Sequence, residues 1–435
     1  MKDRWSSLAL MVAGLGALQR LVLWAVYGPA TYGDTGSYFR SAGVLSQGTL
    51  AGYDGTRVPG YPAFVALMGV DPERVYAAQL VLGWLITLLL YLWAWQATRR
   101  PVLGVIVAAG YTLIPGQFLF EANLLTETLT AFLLVLGFVL HFAIERLSNS
   151  PTRLVAAAGL GLAAGAVGLV RILFYPFSVW LTPFVWTAAG RSLRLRLLPT
   201  AAFLVPALAM LLGWVAYIYS SYGFLAPTTM GGYNLVQHTG VFFELLPDEY
   251  ADIRDTYLRY RDVRLAQRGD QTNTIWEAIP ELTEVSGLGF YDLSRELQRL
   301  SLLLIRQHPG LYLRNVAEGW VGFWKAPAYW VPALVSPPVA IPVLRAWVAA
   351  GRAVTLAINV AFLGLSLWVM LHARRYRDLL HDRAWLAPWG FVWFTSLVQT
   401  VVDHGDNPRF LVPLQAVVFF VVVIAADFAY RKERK

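Results

Sequence analysis

Runs of about 20 apolar residues, separated by short basic clusters, recur along this chain, and a helix of that length crosses a bilayer core. No water is present there to satisfy a backbone amide, so each run is restricted to helix. The pattern predicts an all-α polytopic membrane protein with roughly ten transmembrane helices. These fall at about 6–27, 74–98, 102–118, 124–144, 154–172, 174–190, 197–219, 350–371, 385–402 and 410–428. Their placement divides the sequence into an N-terminal transmembrane module (1–219), a polar insertion with an interfacial segment (220–345) and C-terminal transmembrane helices (346–435).

Charge assigns the sides. Arg99-Arg100, Glu145-Arg146 with Arg153, Arg191 with Arg194 and Arg196, the Arg374–Arg383 cluster and the terminal Arg431-Lys432-Glu433-Arg434-Lys435 all close spans on one side. That side is therefore cytoplasmic, and both termini face it. Loops 28–73, 220–345 and 403–409 then share the periplasmic or extracellular face of the cytoplasmic membrane. The first apolar run follows Lys2 and Arg4, is longer than a signal-peptide core and has no small-x-small cleavage site, so it is expected to remain as a span.

Composition removes other classes. Hydrophobic residues make up 57% of the chain against 14% charged, and 17 Trp and 21 Tyr suit aromatic belts at a membrane surface. The net charge of +8 lies in inter-span clusters, which argues against nucleic acid as a partner. The absence of cysteine excludes disulfides, thiolate catalysis and Cys-ligated metals. There is no Walker A loop, GxSxG elbow, HExxH helix or internal repeat.

The candidate chemistry lies in the loops. Tyr32-Gly33-Asp34-Thr35-Gly36-Ser37-Tyr38 opens the first, where a short amphipathic helix is expected to begin near Asp34. Asp34 suits a helix N-cap, and a fixed carboxylate at the water edge of a bilayer also suits a catalytic base. Tyr38 lies one turn on, on the same face. Arg57-Val58-Pro59-Gly60-Tyr61-Pro62 follows, with the prolines expected to turn the chain back.

In the second loop, Glu121 and Glu127 bracket a helix start. Glu127 is the candidate second acidic group, orienting a substrate hydroxyl or holding a divalent cation. Arg171 stands at membrane depth with no acidic neighbour in sequence, which marks it as functional. Arg409 opens the last span beside Asp403, His404 and Asp406, where a guanidinium can grip phosphate with two bonds; the two carboxylates and the imidazole also offer the donor types of a metal site. Residues 231–238, with Tyr233 and His238, offer rings and amides suited to a sugar. Between them, Asp248 to Arg306 forms a charged, helical, water-facing subdomain, and His308 to Pro342 an aromatic, proline-rich interfacial segment.

These motifs together resemble those of the GT-C class of polytopic membrane glycosyltransferases, in particular its bacterial branch related to aminoarabinose and dolichyl-phosphate-mannose-type transferases. The likeness rests on Gly33-Asp34-Thr-Gly-Ser-Tyr38-Phe with Arg57-Val-Pro-Gly-Tyr-Pro62, on Leu125-Thr126-Glu127-Thr-Leu, and on His404-Gly-Asp406-Asn-Pro-Arg409-Phe410. His308-Pro-Gly-Leu-Tyr312 is a further point of similarity.

The resemblance implies an inverting transfer of sugar from a polyprenyl-phosphate-linked donor to a hydroxyl of a glycolipid, polysaccharide or protein acceptor in the cell envelope. Asp34 would be the base, assisted by Glu127, with Arg409, Arg171 or Arg57 at the donor phosphate. Tyr38, Tyr61, Tyr233, His238, His404 and Asp406 would contact substrate. The Asp-x-Asp pair of metal-using members is missing around Asp34, which implies no metal cofactor. The alternative is a lipid or polysaccharide transporter, or a catalytically silent scaffold of the same fold.

Overall fold

The computed structural model describes residues 2–147, 150–188 and 192–433. Among these residues the chain is helical, with the isolated bridges Tyr27–Val335 and Ala30–Asn123 as its β pairing. Helix α1 (Lys2–Val26) leads into the first loop, which carries α2 (Thr35–Leu45) and α3 (Gly60–Leu67). The Pro59–Pro62 stretch is thus a helix start: Pro59 is the N-cap and Pro62 falls in the first turn, where an amide has no intrahelical acceptor.

Helix α4 (Pro72–Thr98) is capped by Asp71, whose carboxylate accepts from the amides of Glu73 and Arg74. It is followed by α5 (Pro101–Leu113), α6 (Pro115–Ala122), α7 (Glu127–Arg146) and α8 (Ser150–Val170). Then come α9 (Phe177–Ala188), α10 (Leu193–Tyr222) and the small helices of the long insertion: α11 (Gly231–Thr239), α12 (Ala251–Arg268), α13 (Thr274–Ser286), α14 (Phe290–Gln307) and α15 (Pro309–Phe323). The chain ends with α16 (Ile341–Leu371), α17 (Arg377–His381), α18 (Arg383–Val402), α19 (Asn407–Leu411) and α20 (Gln415–Glu433).

Seven stretches among the described residues are long and apolar enough to cross a membrane: Ser7–Val26, Pro72–Thr98, Glu127–Arg146, Pro151–Val170, Leu193–Tyr222, Pro338–Leu371 and Asn407–Lys432. Helices α5 and α6 make an eighth if taken as one span bent by 59°. Pro115 explains the bend, because the residue before a proline is driven out of helical geometry and Ile114 is extended. The remaining two expected spans correspond to Ile172–Ala188, shorter than a full crossing, and to the Trp-, Thr- and Gln-bearing α18. Leu10, Leu18, Leu21, Val205, Leu212, Val360 and Leu367 are exposed on the long helices, as lipid-facing side chains are. The chain is an integral membrane protein.

The chain divides into two compact units. The first comprises residues 1–213, 326–393 and 412–435, and the second 214–325 and 394–411. In the first unit, one core cluster joins Leu23 and Tyr27 of the α1 end, Tyr38 and Ala42 of α2, Tyr61 and Val65 of α3, Tyr76 and Leu80 of α4 and Phe118 of α6. The second unit is built on α11 to α14, with Tyr233, Val236, Tyr257, Ile275, Leu293 and Leu297 at its centre.

Candidate functional site

Asp34 holds the N-cap position of α2, yet its side chain makes no capping bond. The carboxylate turns instead to Arg57, whose Nη2 donates to Asp34 Oδ1 at 2.6 Å. The capping role is therefore not the one this side chain performs; an ion pair with a charge-assisted bond outcompetes a backbone amide. Arg57 Nε donates to Ser37 Oγ at 2.9 Å, and Ser37 Oγ donates to the Asp34 carbonyl at 2.7 Å. The guanidinium also lies over the Tyr38 ring, 5.0 Å from its centroid. Arg57 and Asp34 keep 28% and 31% of their side-chain surface, so the pair is fixed and still open to a ligand.

Beneath this pair, Tyr38 meets Tyr61 edge to face, with ring centroids 5.0 Å apart. Both rings are buried in the core rather than presented at a surface, so they support the charged pair from below. Gly60 lets α3 approach α8 closely: a Cβ there would lie 2.7 Å from the Leu169 and Val170 backbone. That contact brings the Arg57–Tyr61 stretch against the chain leading into Arg171.

The second loop is bound to the first. The amide of Ala30 donates to the Ala122 carbonyl, that of Leu124 to the Ala30 carbonyl, and the Thr35 hydroxyl to the Leu124 carbonyl. Glu121 closes α6 rather than opening a helix, where a carboxylate is disfavoured by the helix dipole. Arg20 of α1 offsets this with two bonds, Nε to Oε2 at 2.7 Å and Nη2 to Oε1 at 2.6 Å, both partners being buried. The carboxylate of Glu121 rests on Gly83 of α4, where a Cβ would collide with it.

Glu127 does begin α7, and it pairs with Arg171 at 3.2 Å. Arg171 therefore has an acidic neighbour after all, supplied by tertiary structure 44 residues away. Two of the three arginines expected at a phosphate are thus each matched with one of the two carboxylates expected to act in catalysis. The Asp34–Arg57 pair is open, whereas Glu127–Arg171 keeps only 1% and 10% of its side-chain surface.

In the second unit, Tyr233 is fully buried and donates its hydroxyl to the Phe290 carbonyl at 2.6 Å, a part of that unit's core. His238 and His404 lie with ring centroids 5.3 Å apart and planes tilted by 55°, and Tyr312 meets the His238 ring edge to face at the same separation. Asp403 Oδ1 accepts from Gln237 Nε2 at 3.0 Å and from the Gly405 amide at 2.9 Å. Burial, with His404 beside it, lowers His238 to about 3, and burial also lowers His404. Burial raises Asp403 to about 6. Arg409 lies in the short α19, its amide donating to the Asp406 carbonyl at 3.1 Å. Among the described residues, no group of three or more His, Asp or Glu side chains is placed to hold a metal, Asp403, His404 and Asp406 included.

Reading the sequence missed Gln79, Arg20 and Asn123, which hold these loops in place. For Arg20 and Gln79 a polar residue inside an otherwise apolar span was the available signal; Asn123, between two spans, offered none.

The helical arrangement is the GT-C fold. Specifically, the chain is similar to solved structures of the oligosaccharyltransferase of Archaeoglobus fulgidus. One is tethered to an acceptor peptide containing the NVT sequon and matches with a TM-score of 0.52 at 13% identity, over 99% of this chain and 50% of that one. Another, described as in complex with an inhibitory peptide and a dolichol-phosphate, matches with a TM-score of 0.51 at 14% identity, over 99% and 51%. The chain spans about half the length of those structures. No protein-family model matches it, and no curated protein matches it in sequence.

Proposed function

We propose that the chain is an inverting glycosyltransferase that moves a sugar from a polyprenyl-phosphate-linked donor to a hydroxyl acceptor at the outer face of the cytoplasmic membrane. The observation that carries this is the half-open Asp34–Arg57 pair, a fixed carboxylate and a fixed guanidinium side by side in a chain of GT-C fold. The neighbour that binds a dolichol-phosphate gives the lipid-linked donor its support.

Arg57 receives the donor phosphate, and Asp34 takes the proton of the acceptor hydroxyl. The acceptor oxygen bonds to the anomeric carbon as the bond from that carbon to the phosphate oxygen breaks. The electron pair leaves with the polyprenyl phosphate, whose charge the guanidinium stabilises. Phosphate arriving at Arg57 competes with Asp34 for the guanidinium, which leaves the carboxylate more basic once the donor is seated. The guanidinium already supplies the positive charge that a divalent cation would bring, so the reading uses no metal.

Glu127 and Arg171, closed to solvent, act by fixing the second loop beside this pair. In the second unit, Arg409 is a further candidate for an anionic group, with His404 and Asp406 beside it in sequence. Acceptors consistent with the reading are glycolipid, polysaccharide or protein hydroxyls.

The test is Asp34→Asn in proteoliposomes supplied with lipid-linked sugar. Transfer is lost and donor binding stays. Transfer at the wild-type rate refutes the base, and vectorial movement of lipid without transfer favours a transporter.

A further inference from the structure

Gln79 is fully buried two turns inside α4, a helix apolar enough to cross the membrane. A primary amide at such depth is retained where partners meet it. Gln79 has three. Its Oε1 accepts from the Tyr61 hydroxyl at 2.9 Å, and its Nε2 donates to the carbonyls of Glu121 at 2.9 Å and Asn123 at 2.7 Å. One side chain thus binds the start of α3 in the first loop to the backbone of the second.

The contact continues upward without a gap. Tyr61 stands edge-on to Tyr38, Tyr38 carries the Arg57 guanidinium on its face, and Arg57 reaches Asp34. The lower end is rigid as well, because the Glu121 peptide that Gln79 holds is anchored through its side chain to Arg20.

We propose that Gln79 is a positioning residue for the Arg57–Asp34 pair, acting through the Tyr61 hydroxyl and the Tyr38 ring. It sets the height and tilt of the surface on which the guanidinium lies, and registers that surface to the 121–127 loop. The proposal rests on the glycosyl-transfer reading only where it names phosphate as the anion Arg57 receives.

Two readouts separate the claims, both on the full chain in lipid nanodiscs. The first is the rate of phenylglyoxal modification at Arg57, measured by peptide mass spectrometry with Arg74 and Arg171 as internal references. Tyr61→Phe removes one hydroxyl and keeps the ring, and Gln79→Met keeps length while removing all three bonds. Each variant speeds modification of Arg57 about 5- to 10-fold, the equivalent of one lost hydrogen bond. Arg74 and Arg171 stay at wild-type rates, and the double variant is no faster than Gln79→Met alone, since both act through one bond. An unchanged Arg57 rate in Tyr61→Phe and in folded Gln79→Met overturns the proposal. So does a parallel rise at Arg171, which signals general loosening.

The second readout is preference for decaprenyl phosphate over decaprenol, which both variants reduce about 5- to 10-fold. Faster Arg57 modification with an unchanged preference leaves the positioning role standing and removes phosphate as the anion at Arg57.

Discussion

The Arg57 guanidinium bonds Asp34 Oδ1 at 2.6 Å while lying over the Tyr38 ring, so a residue in the middle of the first loop and the one that begins its helix form a single charged unit. Neither residue is buried, but both are held from several directions. That combination separates this pair from an exposed surface salt bridge, whose partners keep most of their freedom.

Asp34→Asn keeps shape and hydrogen-bonding capacity and removes the basic oxygen. Transfer from a lipid-linked sugar falls by about 10²- to 10⁴-fold, the usual contribution of general-base help. Radiolabel transfer in proteoliposomes measures this, with donor binding retained.

Arg20→Met leaves the Glu121 carboxylate buried without its guanidinium partner. Removing one member of such a pair costs about 3–5 kcal/mol. The thermal transition in detergent should drop accordingly. The double variant Arg20→Met with Glu121→Gln recovers most of the loss, because no uncompensated charge remains.

Gly60→Ala places a Cβ 2.7 Å from the Leu169 and Val170 backbone, which cannot swing aside as a side chain could. Helix α3 must then move away from α8. The expected cost is about 1–3 kcal/mol, as for overpacking elsewhere. Activity falls further than stability does, since the same shift moves Arg57. Gly52→Ala is an unsuitable control because Gly52 has φ +84°; Gly43→Ala, inside α2 with open space around it, should stabilise by about 0.4–1 kcal/mol and leave activity unchanged.

Asp403 and His238 give the second unit opposed pH dependences. Asp403 is raised to about 6 in the folded chain, so its contribution to stability is full below the unfolded carboxylate value near 4 and is lost as pH rises through 6. His238 is lowered to about 3, so its contribution is full above about 6.5 and is lost as pH falls toward 3. Asp403→Asn therefore melts higher than wild type at pH 7, and the gain vanishes by about pH 4. His238→Gln reduces the loss on acidification. Melting curves between pH 4 and 7.5 distinguish the two.

Sequence alone determined the solvent of this protein and hence its fold class. Apolar runs of bilayer length admit only helices, because a backbone amide in lipid finds its acceptor within its own helix. The same local logic marked the helix that starts beside Asp34 and the helical insertion between Asp248 and Arg306, since caps and periodicity are properties of neighbouring residues. Sequence did not reveal that Pro115 bends one of the expected runs or that a 3₁₀ turn at Ile172–Phe174 opens a shorter one. What only the tertiary structure decided is which charges face each other. Arg171 has no acidic neighbour in sequence, and neither Asp34 nor Arg57 has the other nearby; folding sets Arg57 on Asp34 and Arg171 on Glu127. These ion pairs join positions 23 to 101 residues apart, and no local pattern encodes separations of that kind.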